Sequence, residues 1–158
     1  MKADGYYNIS YRDMAEVIKH VSASPQQDLH MLYRQMVFNV MIMNTDDHLK
    51  NFCMLHDDQG WRLSPAFDLT PDIGDNQEHV LRIGLNNRPS DIEIIFAEAK
   101  YFGIKRRQSA IDVVQSIYSA VSEWPQIFSD HNVPEKDTEI IGKEIKNNLA
   151  RLLPLISC

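Results

Sequence analysis

The chain has 158 residues, of which 44% are hydrophobic and 24% are charged, a composition typical of one globular domain. Its formal net charge of −6 argues against direct nucleic-acid binding, which requires a basic surface. No apolar run approaches the roughly 18 residues of a membrane-spanning helix, and the N-terminus does not resemble a signal peptide. We therefore expect one cytoplasmic domain over residues 1–158, with no membrane contact.

Two helices are predicted in the first third of the chain. Ser10 and Asp13 fit a capping box, and proline at position 25 ends the helix that follows. The apolar residues at helical spacing in this first helix are Met14, Val17, Ile18 and Val21. A second helix is predicted over residues 26–43, and its C-terminal half is apolar on almost every side, which indicates burial.

A β-hairpin is predicted over residues 52–63, where two short apolar segments flank a polar turn. Within it, Cys53 and Trp61 are predicted to be buried. Residues 64–71 contain two prolines and are not expected to form regular structure. Residues 80–83 are a further candidate strand.

The last part of the chain, residues 90–155, is predicted to be a helical subdomain. Its predicted helices run from the capping-box residue Ser90 to Gly103, from 111 to 124 before Pro125, and onward from Pro134. The predicted fold class is therefore mainly α with a small central β-hairpin or sheet.

A charged segment, residues 44–51, separates the second helix from the hairpin. Charge packed between apolar elements costs desolvation free energy unless it has a use. Asp46 and, five residues later, Asn51 reproduce the D-x-x-x-x-N spacing of kinase phosphotransfer loops. In such a loop the aspartate accepts the proton of the attacking hydroxyl, and the asparagine offers Mg²⁺ a neutral oxygen ligand.

A second acidic residue, Asp68, follows the hairpin at the point where a kinase places its D-F-G aspartate. Phe67 precedes Asp68 instead of following it, and no glycine comes next. The order of loop, hairpin and carboxylate nevertheless predicts that Asp68 is a charged metal ligand.

Two runs of sequence carry a resemblance to a known family. Residues 44–51 have the pattern N-x-D-D-H-x-K-N, and residues 61–71 have the pattern W-x-L-S-P-A-F-D-L-T-P. Together they closely resemble the C-terminal domain of the HipA-like serine/threonine kinases, which are bacterial toxins of toxin–antitoxin systems. The similarity covers about residues 10–145, with the catalytic and metal loops at 44–71.

The resemblance implies the helical C-terminal lobe of a kinase-like fold and a role for each residue of the two loops. Asp46 would be the catalytic base, and Asn51 and Asp68 would hold Mg²⁺ and, with it, ATP. His48 or Lys50 would contact the transferred phosphate, and the choice between them stays open.

The resemblance also implies partners. One would be a protein substrate, for example a component of the translation machinery. The other would be a HipB-like antitoxin, and the chain would then associate with DNA only indirectly, through the antitoxin. The sequence shows neither a glycine-rich loop nor the Val-Ala-x-Lys strand, so we expect the ATP-binding N-terminal lobe to be absent and the chain alone to be inactive. The exposed inter-lobe face would then favour homo-oligomers.

Two other functions fit the same residues. Asp46, His48, Asp68 and Asp72 would suit a mixed His/carboxylate centre of a metal-dependent phosphohydrolase. Alternatively, the chain is a non-enzymatic helical module that binds an antitoxin or the missing lobe, which predicts an exposed apolar patch.

Overall fold

The computed structural model describes residues 9–74, 78–85 and 92–156. Their helices are α1 (Tyr11–Val21), α2 (Pro25–Ile42), α3 (Ile92–Glu98), α4 (Arg107–Ser122), α5 (Trp124–Asp130) and α6 (Glu135–Ile156). The strands β1 (Met54–Asp57) and β2 (Gly60–Leu63) form an antiparallel hairpin in which Met54 pairs with Leu63. The predicted fold class, mainly helical with a small central hairpin, is confirmed.

Helix α1 begins at the predicted capping box. The Ser10 side chain accepts a hydrogen bond from the Asp13 main chain, and the Asp13 carboxylate accepts one from the Ser10 N–H at 2.8 Å. The buried face of α1 contains Tyr11, Ala15 and Ile18. Val17 was predicted on this face but is 56% exposed, because it lies toward the hairpin instead of toward α2.

Helix α2 forms the centre of the core. It packs against α1, α4 and α6, and its predicted burial is confirmed. Its fully buried apolar side chains are Leu32, Tyr33, Met36, Val37 and Met41. Complete burial of one such side chain stabilises the fold by roughly 1.5–3 kcal/mol, so packing holds α2 in place at the start of the loop that follows it.

Three predicted details of the later chain differ in the structure. The candidate strand at 80–83 makes only an isolated parallel bridge, between Arg82 and Ser10. The helix predicted to end at Gly103 changes to a 3-10 helix at Ala99, although Gly103 does terminate it in the left-handed conformation. Pro125 lies in the first turn of α5. An N–H at this position has no partner within the helix, so proline costs no hydrogen bond there.

The capping-box residues 90–91 lie outside the described residues. Among the helices that are described, none combines the length and the apolar character needed to cross a membrane.

Candidate functional site

The segment between α2 and β1 leaves the helix through a left-handed residue. Met43 has φ 59° and caps α2, and the chain then runs without regular structure to a 3-10 turn at Leu49–Asn51. Asp46 is exposed on this segment, whereas Asn51 is buried. The turn is closed by the Asn51 N–H, which donates to the His48 carbonyl at 2.9 Å.

The structure brings Asp46 and Asn51 together. Asn51 Nδ2 donates to the main-chain oxygen of Asp46 at 3.0 Å. The other atom of the side-chain amide, Asn51 Oδ1, therefore points away from that oxygen. His48 Nε2 lies 3.9 Å from Asp46 Oδ1, close enough for an ion pair when the imidazole is protonated. Lys50 is exposed on the turn. Four of the five predicted site residues therefore share one short loop.

Asp68, the fifth predicted site residue, lies outside this loop in the sequence. None of the hydrogen bonds or ion pairs found among the described residues joins Asp68 to Asp46 or Asn51, and its side chain is exposed. Its backbone is left-handed, with φ 55°. Non-glycine residues in this conformation are uncommon and concentrate at functional sites. Asp68 is thus an exposed carboxylate on a constrained backbone.

A polar cavity of about 430 Å³ adjoins Asp46. It is lined by Thr45, Asp46, Thr70, Pro71, Asp72 and Val80. The Thr45 hydroxyl donates to Asp72 Oδ2 at 2.6 Å, and the Asp72 N–H donates to the Met43 carbonyl at 2.9 Å. These bonds hold the segment that follows Asp68 against the start of the loop.

The role of Asp72 bears on the phosphohydrolase alternative. Its hydrogen bonds, first that from Thr45 and then that from the Gly74 N–H, lower the pKa of Asp72 below its usual value. Asp72 is therefore engaged within the protein. Across the described ranges, no three His, Cys, Asp or Glu side chains form a group that could hold a metal ion. The four residues of that alternative do not assemble into a His/carboxylate centre.

Behind the loop lies a buried polar cluster that the sequence did not predict. The Asp47 carboxylate is fully buried and accepts hydrogen bonds from the Tyr11 hydroxyl at 2.7 Å and the Leu81 N–H at 3.2 Å. His79 Nδ1 lies 2.9 Å from Asp47 Oδ2, within hydrogen-bond distance. Burial and then the charge of Asp47 raise the pKa of Tyr11 well above its ordinary value, so its hydroxyl keeps its proton.

Helix α6 supports the loop from the other side. Asn148 Nδ2 donates to the carbonyls of Val40 and Met41, at 2.7 and 2.9 Å. Carbonyls in the last turn of a helix have no partner within the helix, so Asn148 satisfies the end of α2 just before the loop begins. The Arg151 guanidinium donates to Asn148 Oδ1 at 2.9 Å and orients the amide.

An apolar groove of about 330 Å³ runs between α1 and the hairpin, directly after Asn51. Its apolar lining includes Met14, Val17, Phe52, Cys53, Met54 and Leu63. The prediction that Cys53 is buried was wrong, because the residue faces this groove and is exposed. Trp61 is also exposed, at 45%, and packs edge-on against His56 at the hairpin surface.

Comparisons with known proteins identify the family and the fold of this chain. The model of the HipA-like C-terminal domain family matches residues 1–124. A relative named putative kinase Y4mE, from Sinorhizobium fredii (strain NBRC 101917 / NGR234), is 36% identical over 131 residues, which are 77% of this chain and 31% of the relative.

A solved structure of Shewanella oneidensis MR-1 HipA, in complex with HipB and its operator DNA, superposes with a TM-score of 0.75. The match covers 94% of this chain and 37% of that chain at 18% identity, so it shows a shared fold. The chain spans about a third of the length of both proteins.

Proposed function

The chain belongs to the HipA-like C-terminal domain family, and on this basis we propose that it supplies the catalytic loop and the magnesium ligands of a serine/threonine protein kinase. The reaction is the transfer of the γ-phosphoryl group of ATP to a hydroxyl of a protein substrate. The name of the relative, putative kinase Y4mE, supports this reaction class.

One observation carries the proposal. The Asn51 amide donates to the Asp46 main chain, and this bond folds the D-x-x-x-x-N spacing into a closed turn with the Asp46 carboxylate exposed. A catalytic base must reach the proton that it accepts, so exposure of this carboxylate is a requirement of the reaction. A loop-capping aspartate would instead have its carboxylate bonded to nearby N–H groups.

The roles of the residues follow from their chemistry. Asp46 orients the attacking hydroxyl and accepts its proton. Asn51 Oδ1 and the Asp68 carboxylate would hold Mg²⁺, and they fit it because both are hard oxygen donors and neither oxygen is bonded within the described residues. When bound, Mg²⁺ neutralises charge on the phosphates of ATP.

A positive side chain is also required near the transferred phosphate. Lys50 places an amino group on the exposed side of the turn, whereas the His48 imidazole lies beside Asp46. If Lys50→Met lowers the rate of phosphate transfer much more than His48→Gln does, Lys50 is the residue that contacts the phosphate. The reverse order would identify His48 as that residue.

A HipB-like antitoxin is the proposed partner, because the similar HipA fold was solved together with HipB and operator DNA. DNA would then be contacted by the antitoxin, since the net charge of this chain is −6.

The experiment is a chimera in which this chain replaces the matching 31% of the Y4mE relative. We expect transfer of γ-phosphate from labelled ATP to protein, and we expect Asp46→Asn to reduce it about 100-fold or more. Asp58→Asn, which changes an exposed carboxylate on the hairpin turn, should leave the rate unchanged. A folded chimera in which Asp46→Asn transfers phosphate at the parental rate would contradict the proposal.

A second candidate function is a binding module without catalysis. The apolar groove beside α1 favours it, because Val17 and Cys53 are both exposed there. Under this function Asp46→Asn leaves partner binding intact, and the chimera shows no transfer that depends on Asp46.

A further inference from the structure

We propose that Asp47 is a positioning residue, anchored by Tyr11 and His79, that holds the Asp46–Asn51 loop in its working geometry. The inference deepens the proposed kinase function and rests on it. Asp47 touches neither substrate nor metal in this account, and it acts through the loop that it anchors.

Two neighbouring residues of the loop differ sharply in burial. Asp46 is exposed, whereas Asp47 is fully buried in the next position. The two residues are adjacent in the chain, so fixing the Asp47 side chain restricts the directions that the Asp46 side chain can take. An Asp47 side chain held beneath the loop therefore keeps the Asp46 carboxylate facing outward.

The contacts of the Asp47 carboxylate make it a strong anchor. A buried carboxylate is unfavourable unless it is paired and hydrogen-bonded, and hydrogen bonds to a charged group are stronger than neutral ones. Asp47 accepts from the Tyr11 hydroxyl and the Leu81 N–H, and His79 Nδ1 lies within hydrogen-bond distance. Rotation of Asp47 away from this site would break all three contacts together.

The hydrogen bonds that lead to Asp47 form a chain with one direction. Asn44 Nδ2 donates to Asn39 Oδ1 at 3.1 Å, and Asn39 Nδ2 donates to the Tyr11 hydroxyl at 3.0 Å. Tyr11 in turn donates to Asp47. The network begins and ends within the loop segment and passes through α2 and α1, so both helices fix the position of the loop.

The segment around His79 adds a main-chain bond to the same loop. The Val80 N–H donates to the Thr45 carbonyl at 3.1 Å, and the Leu81 N–H donates to Asp47. The loop is therefore bonded on two sides, by α1 and by the chain at 79–81. This arrangement leaves Asp46 little freedom to turn inward.

The test measures amide hydrogen exchange by NMR in the full chain. Tyr11→Phe removes one donor to Asp47 and retains the buried ring. It should accelerate exchange at the N–H groups of Asn51 and Phe52, which close the turn, by roughly tenfold relative to amides of α4. Tyr33→Phe is the matched control, since it removes another buried hydroxyl, which is bonded at 3.0 Å to the Ile95 carbonyl of α3 and not to the loop.

A second readout separates positioning from a general loss of stability. In the chimera with the Y4mE relative, Tyr11→Phe should lower kcat by about tenfold to 100-fold and leave the KM for ATP unchanged, because small displacements of a catalytic group affect the reaction step. Asp47→Asn should have the same effect in both assays, and Asp47→Glu should recover part of the kcat.

Either of two results would overturn the inference. One is that Tyr11→Phe raises the amide exchange rates of the loop and of α4 equally. The other is that the exchange rate of the Asn51 N–H is the same in Tyr11→Phe and in Tyr33→Phe. Failure of the kinase proposal is distinguishable, because it would show as transfer insensitive to Asp46→Asn. The exchange data would still decide whether Asp47 anchors the loop.

Discussion

Asn51 and Asp46 are joined by a hydrogen bond of 3.0 Å from the side-chain amide of the first to the main-chain oxygen of the second. The two residues are five positions apart and stand at the two ends of the D-x-x-x-x-N spacing. The amide nitrogen of Asn51 is used within the protein, so its oxygen remains for a ligand. The bond thus explains why asparagine is suited to this position.

The first prediction concerns Asn51→Asp. The variant retains oxygen atoms but loses the N–H donor, and its carboxylate faces the Asp46 carbonyl. We expect the free energy of unfolding to fall by about 1–3 kcal/mol, the effect of leaving a buried group unsatisfied. Denaturant titration measures this change. Asn147→Asp, at an exposed position of α6, is the control and should change it by less than about 0.5 kcal/mol.

The second prediction concerns acid stability through Asp28. Its carboxylate is buried near the N-terminus of α2 and accepts hydrogen bonds from Arg62, Ser22 and the Leu63 N–H, which tie the hairpin to the helix. Burial acts to raise the pKa of Asp28, but these hydrogen bonds outweigh it and lower the pKa below its usual value.

A lowered pKa makes the folded state bind the Asp28 proton more weakly than the unfolded chain does. Its stabilisation is therefore present above the unfolded pKa of about 3.9 and is lost as the pH falls through the lower, folded pKa. We expect Asp28→Asn to be about 2–4 kcal/mol less stable at neutral pH. Urea titrations should show this difference shrinking as the pH falls below about 4. A difference that grows on acidification would contradict the assignment.

The third prediction concerns the cap that α6 provides to α2. Asn148→Ala removes both hydrogen bonds to the Val40 and Met41 carbonyls, so we expect a loss of about 1–3 kcal/mol by thermal unfolding. Asn147→Ala, the exposed neighbour, changes the same residue type without touching α2. Equal effects of the two variants would show that the cap does not stabilise the fold.

The fourth prediction concerns Gly142, in the middle of α6. A Cβ atom at this position would lie 2.2 Å from the Cη2 atom of Trp124, closer than atoms can approach. Alanine normally stabilises a helix relative to glycine, but here we expect Gly142→Ala to destabilise by about 1–3 kcal/mol. Combining it with Trp124→Leu should remove most of that penalty, which a double-mutant cycle measures.

The parts of the fold that sequence analysis predicted are those with local causes. The capping box joins Ser10 to Asp13, three positions apart, and the hairpin residues 54–63 pair across one turn. The loop between α2 and β1 is local in the same way, because Asp46 and Asn51 interact over five positions. Residue type and spacing contain this information directly.

The supports of the loop could not be predicted, because they join distant parts of the chain. Tyr11 and Asp47 are 36 positions apart, and Asn148 and Val40 are 108 apart. Tyr11 has the periodicity of an ordinary core residue, so nothing in the sequence marks its hydroxyl as a donor. Val17 was assigned to the wrong face because the apolar groove presents the same residue types as a core.

The central claim is that Asn51 and Asp68, from two separate segments, share one divalent ion. The most direct measurement is paramagnetic broadening of the NMR amide signals of this chain by Mn²⁺, which replaces Mg²⁺ at oxygen sites. We predict that the signals of Asn51 and Asp68 broaden together at the lowest Mn²⁺ concentrations, that Asp68→Asn removes both effects, and that Asp58→Asn removes neither. Broadening at only one of the two residues, or broadening unaffected by Asp68→Asn, would contradict the claim.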